Sequence, residues 1–467
     1  MSSITLPQQD AVARSYFYRA VWRWHFYAGL FVAPFLTILA VSGLVILFVT
    51  GVAPEYGEWL KVTPGPQTLS VSEQVDKALA AEPGSTLGKY VTPWGADRPA
   101  LVEIKSGDVN RMLAVDPYSG TILRDTVEAG TWKAFMSDVH GKLLLGGDGG
   151  PGDFLIETAA SLGIIVLATG LYLWWPRDGR GVLSSLLPNL ALRGRALWRS
   201  LHQSVGAGIS VVLLFFLISG LSWAGVWGGK FVQAWSTFPA AKWDNVPLSD
   251  ATHASMNHDS MKEVPWTLEQ APMPESGSSA GITGVPHGTA VAPQSLVALG
   301  RDLGFEGRFQ VTAPAGDTGV WTLSQDSMSY DSANPTADRT VHVDQYTGQV
   351  LADVRFADYP LAGKLMAVGI ALHEGQLGWW NVVLNALFCL LVIFSCVSGV
   401  VMWWKRRPAG EFAAPRYPRQ YRLGIGVAII AVILGLAFPL GGAALLLFAA
   451  IDTFLPRRLK EAGAHSA

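Results

Sequence analysis

Apolar runs long enough to cross the ~30 Å hydrocarbon core of a bilayer fall at 24–50, 153–175, 203–227 and 379–404. A fifth run, 423–455, is too long for one ordinary span, and Pro439 with Gly441 and Gly442 interrupts its middle. The pattern changes in the two long segments between spans, 51–152 and 228–378. Apolar and polar residues alternate there over short runs such as Ala100-Leu-Val-Glu-Ile-Lys105 and Gly319-Val-Trp-Thr-Leu-Ser324, the signal of a half-buried strand. Each segment also carries one helical period, over 71–81 and 293–304. The pattern predicts an α-helical integral membrane protein with two small α+β domains outside the membrane. Residues 250–290, rich in Ser, Pro, Gly, Met and His, read as loop.

Composition narrows the class. Only 15% of the 467 residues are charged and half are hydrophobic, whereas a soluble globular chain carries about 25% charged residues. That deficit argues against a soluble enzyme and against a disordered chain. A net charge of −2 gives nucleic acid no electrostatic foothold. Cys389 and Cys396 lie seven residues apart in one apolar helix, about 10 Å along its axis, too far for a disulfide.

Basic residues set the orientation, because short cytoplasmic segments collect Lys and Arg. Arg14, Arg19 and Arg23 mark the arm 1–23. Arg177, Arg180, Arg193, Arg195 and Arg199 mark the loop 176–202. Lys405, Arg406, Arg407, Arg416, Arg419 and Arg422 mark 405–422, and Arg457, Arg458 and Lys460 mark the tail 456–467. All four are expected in the cytoplasm, so 423–455 must cross twice, as a hairpin turning at Phe438-Pro439-Leu440-Gly441. Six crossings follow, with both termini inside. The first apolar run is longer than the 7–15-residue core of a signal peptide and reads as a retained anchor.

The chain is written twice. Gly29 follows His25 by four residues and Ser42-Gly43-Leu44 begins at +17; Gly206 follows His202 by four and Ser219-Gly220-Leu221 begins at +17. Val115-Asp116-Pro-Tyr118-Ser-Gly120 recurs as Val343-Asp344-Gln-Tyr346-Thr-Gly348. The second and fourth spans end as Thr169-Gly170-Leu-Tyr-Leu-Trp174-Trp175 and Ser398-Gly399-Val-Val-Met-Trp403-Trp404, and ahead of them stand His140-Gly141 and His373-Glu374-Gly375. A tandem repeat in one orientation implies a pseudo-two-fold axis along the membrane normal.

Four of the nine histidines thus occupy matched places. A lone histidine is more often a packing residue, but ionisable groups at membrane depth are functional candidates, and their duplication strengthens the case. His25 and His202 stand at the inner ends of their helices, and His140 and His373 at the outer ends. One iron cannot take ligands from both faces of a ~30 Å core, so His25 pairs with His202 and His140 with His373. The expectation is two haem b groups with bis-histidine ligation. Covalent attachment is excluded, since no C-x-x-C-H is present. His253, Met256, His258 and Met261 form an H-x2-M-x-H-x2-M run soft enough for copper; a polar loop that happens to hold these residues is the preferred account. No dinucleotide fingerprint, P-loop or hydrolase triad is visible.

The His25-x3-Gly29 and His202-x3-Gly206 starts, the His140 segment with Thr169–Trp175, Leu372-His373-Glu-Gly375 and the Phe438-Pro439-Leu440 hairpin together resemble the PepSY-associated transmembrane family, which includes bacterial iron-regulated inner-membrane proteins. The Asp116 and Asp344 turns look like PepSY signatures. The resemblance implies a di-haem reductase that frees iron from a ferric siderophore or similar chelate on the periplasmic side of the bacterial inner membrane. Some members carry a fused flavodoxin-reductase domain that this chain lacks, so the donor, a quinol or a cytoplasmic reductase, stays open. The competing classes are a chelate permease and a membrane-anchored PepSY regulator of a peptidase.

Overall fold

A computed structural model of the protein describes residues 6–147, 149–177, 179, 181–232, 245–257, 262–326, 328–407 and 432–454. In chain order the principal elements are α1 (Leu6–Gly51), α2 (Val71–Ala80), β1 (Thr86–Val91), β2 (Ala100–Ser106), β3 (Val109–Val115), β4 (Ile122–Val127), α3 (Trp132–Lys142) and α4 (Pro151–Trp174). There follow α5 (Gly194–Gly208), α6 (Ser210–Leu221), β5 (Leu248–Thr252), β6 (Pro272–Pro274), α7 (Pro293–Asp302), β7 (Gln310–Thr312), β8 (Val320–Gln325), β9 (Arg339–Asp344), β10 (Val350–Arg355), α8 (Leu361–Glu374), α9 (Trp379–Trp404) and α10 (Pro439–Phe454). They form two compact units, one of 1–41, 141–232 and 387–467, the other of 42–140 and 233–386.

Within the first unit the apolar helices pack on small and branched residues: Val32 of α1 with Leu162 and Ile165 of α4, and Ala160 and Ile164 of α4 with Leu217 and Leu221 of α6. Among the described residues three helices, Phe17–Gly51, Pro151–Trp174 and Trp379–Trp404, are long and apolar enough to cross a membrane, and α5 with α6 makes a fourth if that bent pair is one span. The bend corrects the expectation of an unbroken third span. The two helices meet at Ile209 with an angle of 58°, just after Gly206 and Gly208, and the Ser210 hydroxyl donates to the Ala207 carbonyl at 2.8 Å. Weak helix formers and a hydroxyl bonded back into the ladder are recognised causes of a kink. From Leu6 the arm is helical and continuous with the first apolar run.

Residues 432–437 are helical, the ladder breaks at Phe438, and α10 begins at Pro439, where a ring without an N–H serves as a helix start. A Cβ on Gly442 would lie 2.6 Å from the Gly435 Cα, so the turn is tight. The rest of the expected 423–455 hairpin and the tail fall outside the described residues. Glu157 on α4 is buried and accepts the backbone N–H groups of Val226 and Trp227 at 3.0 and 3.1 Å, so its carboxylate caps the backbone that follows α6.

The second unit is built on one eight-stranded sheet in the order β10-β9-β8-β7-β1-β2-β3-β4. The two segments read as separate domains are therefore joined edge to edge, through β1 and β7, with Tyr90 opposite Val311. Sequence alternation identifies strands but not which edges meet. Helix α2 lays Val71, Val75 and Ala78 on Tyr90, Val102, Ile104 and Leu113, and α7 lays Leu296 and Leu299 on Phe309, Leu323 and Val341. Ser70 and Glu73 close a reciprocal cap at the start of α2, an arrangement worth about 1 kcal/mol. The stretch read as loop contains β5 and β6, paired antiparallel, and a single 3-10 turn, His253–Met256. His253 is fully buried there.

Candidate functional site

Each pair of matched histidines comes together inside one unit. In the first unit the rings of His25 and His202 stand with centroids 6.4 Å apart and planes crossing at 75°. In the second, His140 and His373 show the same separation, 6.4 Å, with planes at 81°. A metal–imidazole bond is about 2.0–2.1 Å, and the ring centre lies about 1 Å behind the nitrogen, so two imidazoles on opposite sides of one metal have centres about 6 Å apart. Both pairs have that spacing.

The elements that hold each ring are matched as well. Nδ1 of His25 on α1 donates to the Val166 carbonyl of α4 at 3.0 Å and lies 3.2 Å from the Thr169 hydroxyl. That hydroxyl already donates to the Ile165 carbonyl at 2.7 Å. Nδ1 of His202 on α5 donates to the Ser395 carbonyl of α9 at 3.1 Å and meets the Ser398 hydroxyl at 2.8 Å, a hydroxyl that donates to the same carbonyl at 2.9 Å. Carbonyls only accept, so the proton sits on Nδ1 in both rings, and Nε2 keeps its lone pair. Such outer partners fix the tautomer and orientation of a ligating imidazole.

Glycine beside each hydroxyl lets the ring approach. A Cβ on Gly170 would come within 3.0 Å of the His25 Cε1, and one on Gly399 within 3.7 Å of the His202 Cε1. One turn beyond each histidine, a Cβ on Gly29 or Gly206 would meet no atom within 4 Å, so the helix face there is open to a flat group.

In the second unit His140 ends α3 with Nδ1 2.9 Å from the hydroxyl of Ser42, a buried residue of α1. His373 ends α8, where Gly375 takes the left-handed conformation, φ +79°. A side chain at Gly375 would also strike Leu47 at 2.6 Å, so glycine is required there twice over. Asn385 of α9 donates to the carbonyls of Leu372 and His373 at 2.7 and 2.9 Å and fixes the turn. Burial, and then the neighbouring His140, hold the His373 imidazole down to about 3, so it is neutral at pH 7. Burial pushes the adjacent Glu374 carboxyl up to about 7, against the pull of Lys133.

The ring holders Thr169, Ser398 and Ser42 escaped the sequence reading as functional residues, although all three lie in the repeated motifs. Their signal was the hydroxyl residue followed by glycine at matching places. Of the H-x2-M-x-H-x2-M run, read as a polar exposed loop, His253 is fully buried. His253 turns inward, and its Nε2 lies 2.9 Å from Nε2 of His342 on β9, while His258 and Met261 fall outside the described residues. Burial holds the His253 imidazole down to about 4. Among the described residues, no group of three or more His, Cys, Asp or Glu is arranged to hold a metal ion.

Long apolar helices and a sheet-bearing unit, each with histidines drawn together from distant parts of the chain, define a membrane protein with an attached α+β unit. Residues 22–406 match the PepSY-associated TM region family, and the chain belongs to that family. No curated protein matches it.

Proposed function

We propose that the protein is a di-haem electron-transfer protein of the bacterial inner membrane and a ferric-chelate reductase. His25 and His202 hold an inner haem b, and His140 and His373 an outer one. The donor is a quinol or a cytoplasmic reductase, and the acceptor is a periplasmic ferric siderophore or similar chelate, whose Fe(III) gains one electron and is released as Fe(II). The single observation that carries this proposal is the 6.4 Å separation of both histidine pairs. Each site, when loaded, supplies a one-electron Fe(III)/Fe(II) couple. The chain's own contribution is to present two neutral Nε2 atoms and, in the first unit, to fix their rings through Val166, Thr169, Ser395 and Ser398. Six crossings with both termini cytoplasmic, built on a tandem repeat about an axis normal to the membrane, complete the proposal. The basic segments and the duplicated motifs support it.

The bend at Ile209 is the one feature that favours a permease, since broken helices line transporter sites. Against that, both Glu157 oxygens already accept backbone N–H groups, which gives this carboxylate a structural role. A regulator would need no matched histidines. The deciding experiment is anaerobic mixing of dithionite-reduced, desalted protein with a ferric siderophore. The Soret band should return to its oxidised position as Fe(II) appears in stoichiometric amount. A band that stays reduced while the chelate stays ferric contradicts the reductase.

A further inference from the structure

The buried pair on the sheet has the makings of a second, separate metal site. His253 and His342 are both fully buried, with ring centroids 4.9 Å apart. Nδ1 of His253 donates to the Ala271 carbonyl at 2.8 Å, which leaves its Nε2 as a lone-pair donor. Nδ1 of His342 lies 3.0 Å from the Thr322 hydroxyl. The two Nε2 atoms share a hydrogen bond at 2.9 Å, whose proton the His253 tautomer assigns to His342. A cation taking its place moves that proton to His342 Nδ1, where the Thr322 hydroxyl accepts it and holds the ring by its far nitrogen. Two imidazole nitrogens bound to one metal at about 2.0 Å with a tetrahedral angle stand about 3.3 Å apart. Admitting a cation thus asks for a shift of a few tenths of an ångström.

A third donor comes from the local helix. His253 and Met256 begin and end the 3-10 turn, and residues three apart eclipse in such a turn, so the two side chains leave it on one face. Met256 and Thr322, the two residues that flank the pair, line a cavity of ≈ 180 Å³ together with Met273, Lys89, Glu103 and Glu263, so solvent space comes within one side chain of the histidines. The donor set is two neutral nitrogens and one soft sulfur, with no carboxylate among them. Uncompensated divalent charge would be costly in so buried a place, and thioether selects Cu(I) among the common metals. We infer that His253, His342 and Met256 form a binding site for a soft monovalent cation, Cu(I), independent of the haem-binding histidines.

The test is a titration of the purified full chain with Cu(I), anaerobic and reducing, against a chromophoric Cu(I) chelator, followed by copper K-edge absorption. One Cu(I) per chain with nitrogen and sulfur neighbours is expected, with binding abolished in His253→Gln and His342→Gln. Should either variant fail to fold, Met256→Leu preserves apolar volume and reads the site alone. It should weaken binding by at least about tenfold and remove the sulfur signal. A wild-type chain that takes no Cu(I), histidine variants that bind as wild type, or Met256→Leu with unchanged affinity would each leave the pair a hydrogen-bonded strut and overturn the inference.

Discussion

Two kinds of histidine pair occur in this molecule, and the difference is a matter of about 1.5 Å. On the sheet, His253 and His342 come to 4.9 Å between ring centres and share a nitrogen–nitrogen hydrogen bond. On the helices, His25/His202 and His140/His373 are held at 6.4 Å. In the helical pair of the first unit, each ring is tied back to the next helix of its own repeat, through Val166 and Thr169 or Ser395 and Ser398. The rings of the sheet pair are held at their far nitrogens too, by the Ala271 carbonyl and the Thr322 hydroxyl, but there the anchors bring the two Nε2 atoms together. In the first unit the tethers run to different helices, α4 and α9, and hold the ring centres at 6.4 Å. On the proposed reading, separation rather than the presence of histidine is what tells a haem-ligating pair from a hydrogen-bonded one.

Removing a ligand should break the comparison most severely. His25→Ala or His202→Ala should each eliminate the same haem, and His140→Ala or His373→Ala the other, so that every single variant retains half the wild-type haemochrome absorbance. The double variant within a pair should lose no more than either single one. His342→Gln should retain both haems. Loss of haem from that variant, with the sheet still folded by circular dichroism, would show that spacing does not separate the two kinds of pair.

The tethers give the next largest effect. Thr169→Val and Ser398→Ala remove the hydroxyl but leave the carbonyl, and outer-shell losses of this kind cost about 10–100-fold in affinity. The glycines should differ from one another. Gly170→Ala brings a methyl within 3.0 Å of the His25 ring, where something must shift, whereas Gly399→Ala makes an ordinary 3.7 Å contact. Haem dissociation into apomyoglobin should accelerate in the first variant and stay near wild type in the second. Equal rates would mean that ring position is not set at the α4 and α9 faces.

These results bear on what could be read from sequence. The pairing of His25 with His202, and of His140 with His373, followed from depth and duplication, and both pairs meet in the fold. α9 was also legible to the residue, because its apolar run ends in Trp at both sides. The tethers were not legible as such. Thr169-Gly170 and Ser398-Gly399 were visible as repeated text, but only three-dimensional proximity turns a hydroxyl and a missing side chain into a ring clamp. The edge pairing of β1 with β7 and the inward turn of His253 were equally out of reach. Strand alternation reports which face is buried and carries no information about the neighbour, and a Ser- and Pro-rich composition masks a short strand pair.

The smallest effect concerns the two Asp turns, which are alike in sequence but differ in partners. Asp116 accepts from Tyr118 N–H at 2.8 Å and Ser119 N–H at 3.4 Å. Asp344 accepts from Tyr346 and Thr347, both at 2.8 Å, and from Gly277 at 2.7 Å. Burial pushes the Asp344 carboxyl up, but the backbone N–H groups outweigh it and hold the group below the ordinary value of 3.8. A lowered folded value means that its stabilisation is complete above about pH 4 and fades as pH falls through the folded value. Asp344→Asn should cost about 1–3 kcal/mol at pH 7, more than Asp116→Asn, and its deficit should shrink below pH 4. Hydrogen exchange of the β9–β10 amides at the two pH values reads both; a deficit independent of pH would mean the charge is not what the three N–H groups hold.

The most direct test of the central claim is the haem content of the purified full chain, produced with haem supplied and measured as the pyridine haemochrome against protein by amino-acid analysis. Two non-covalent b haems per chain, both extractable with acid acetone and both low-spin in the oxidised spectrum, are the predicted result. A folded protein carrying one haem or none would contradict the assignment of His25, His202, His140 and His373 as ligands, and with it the proposed reductase.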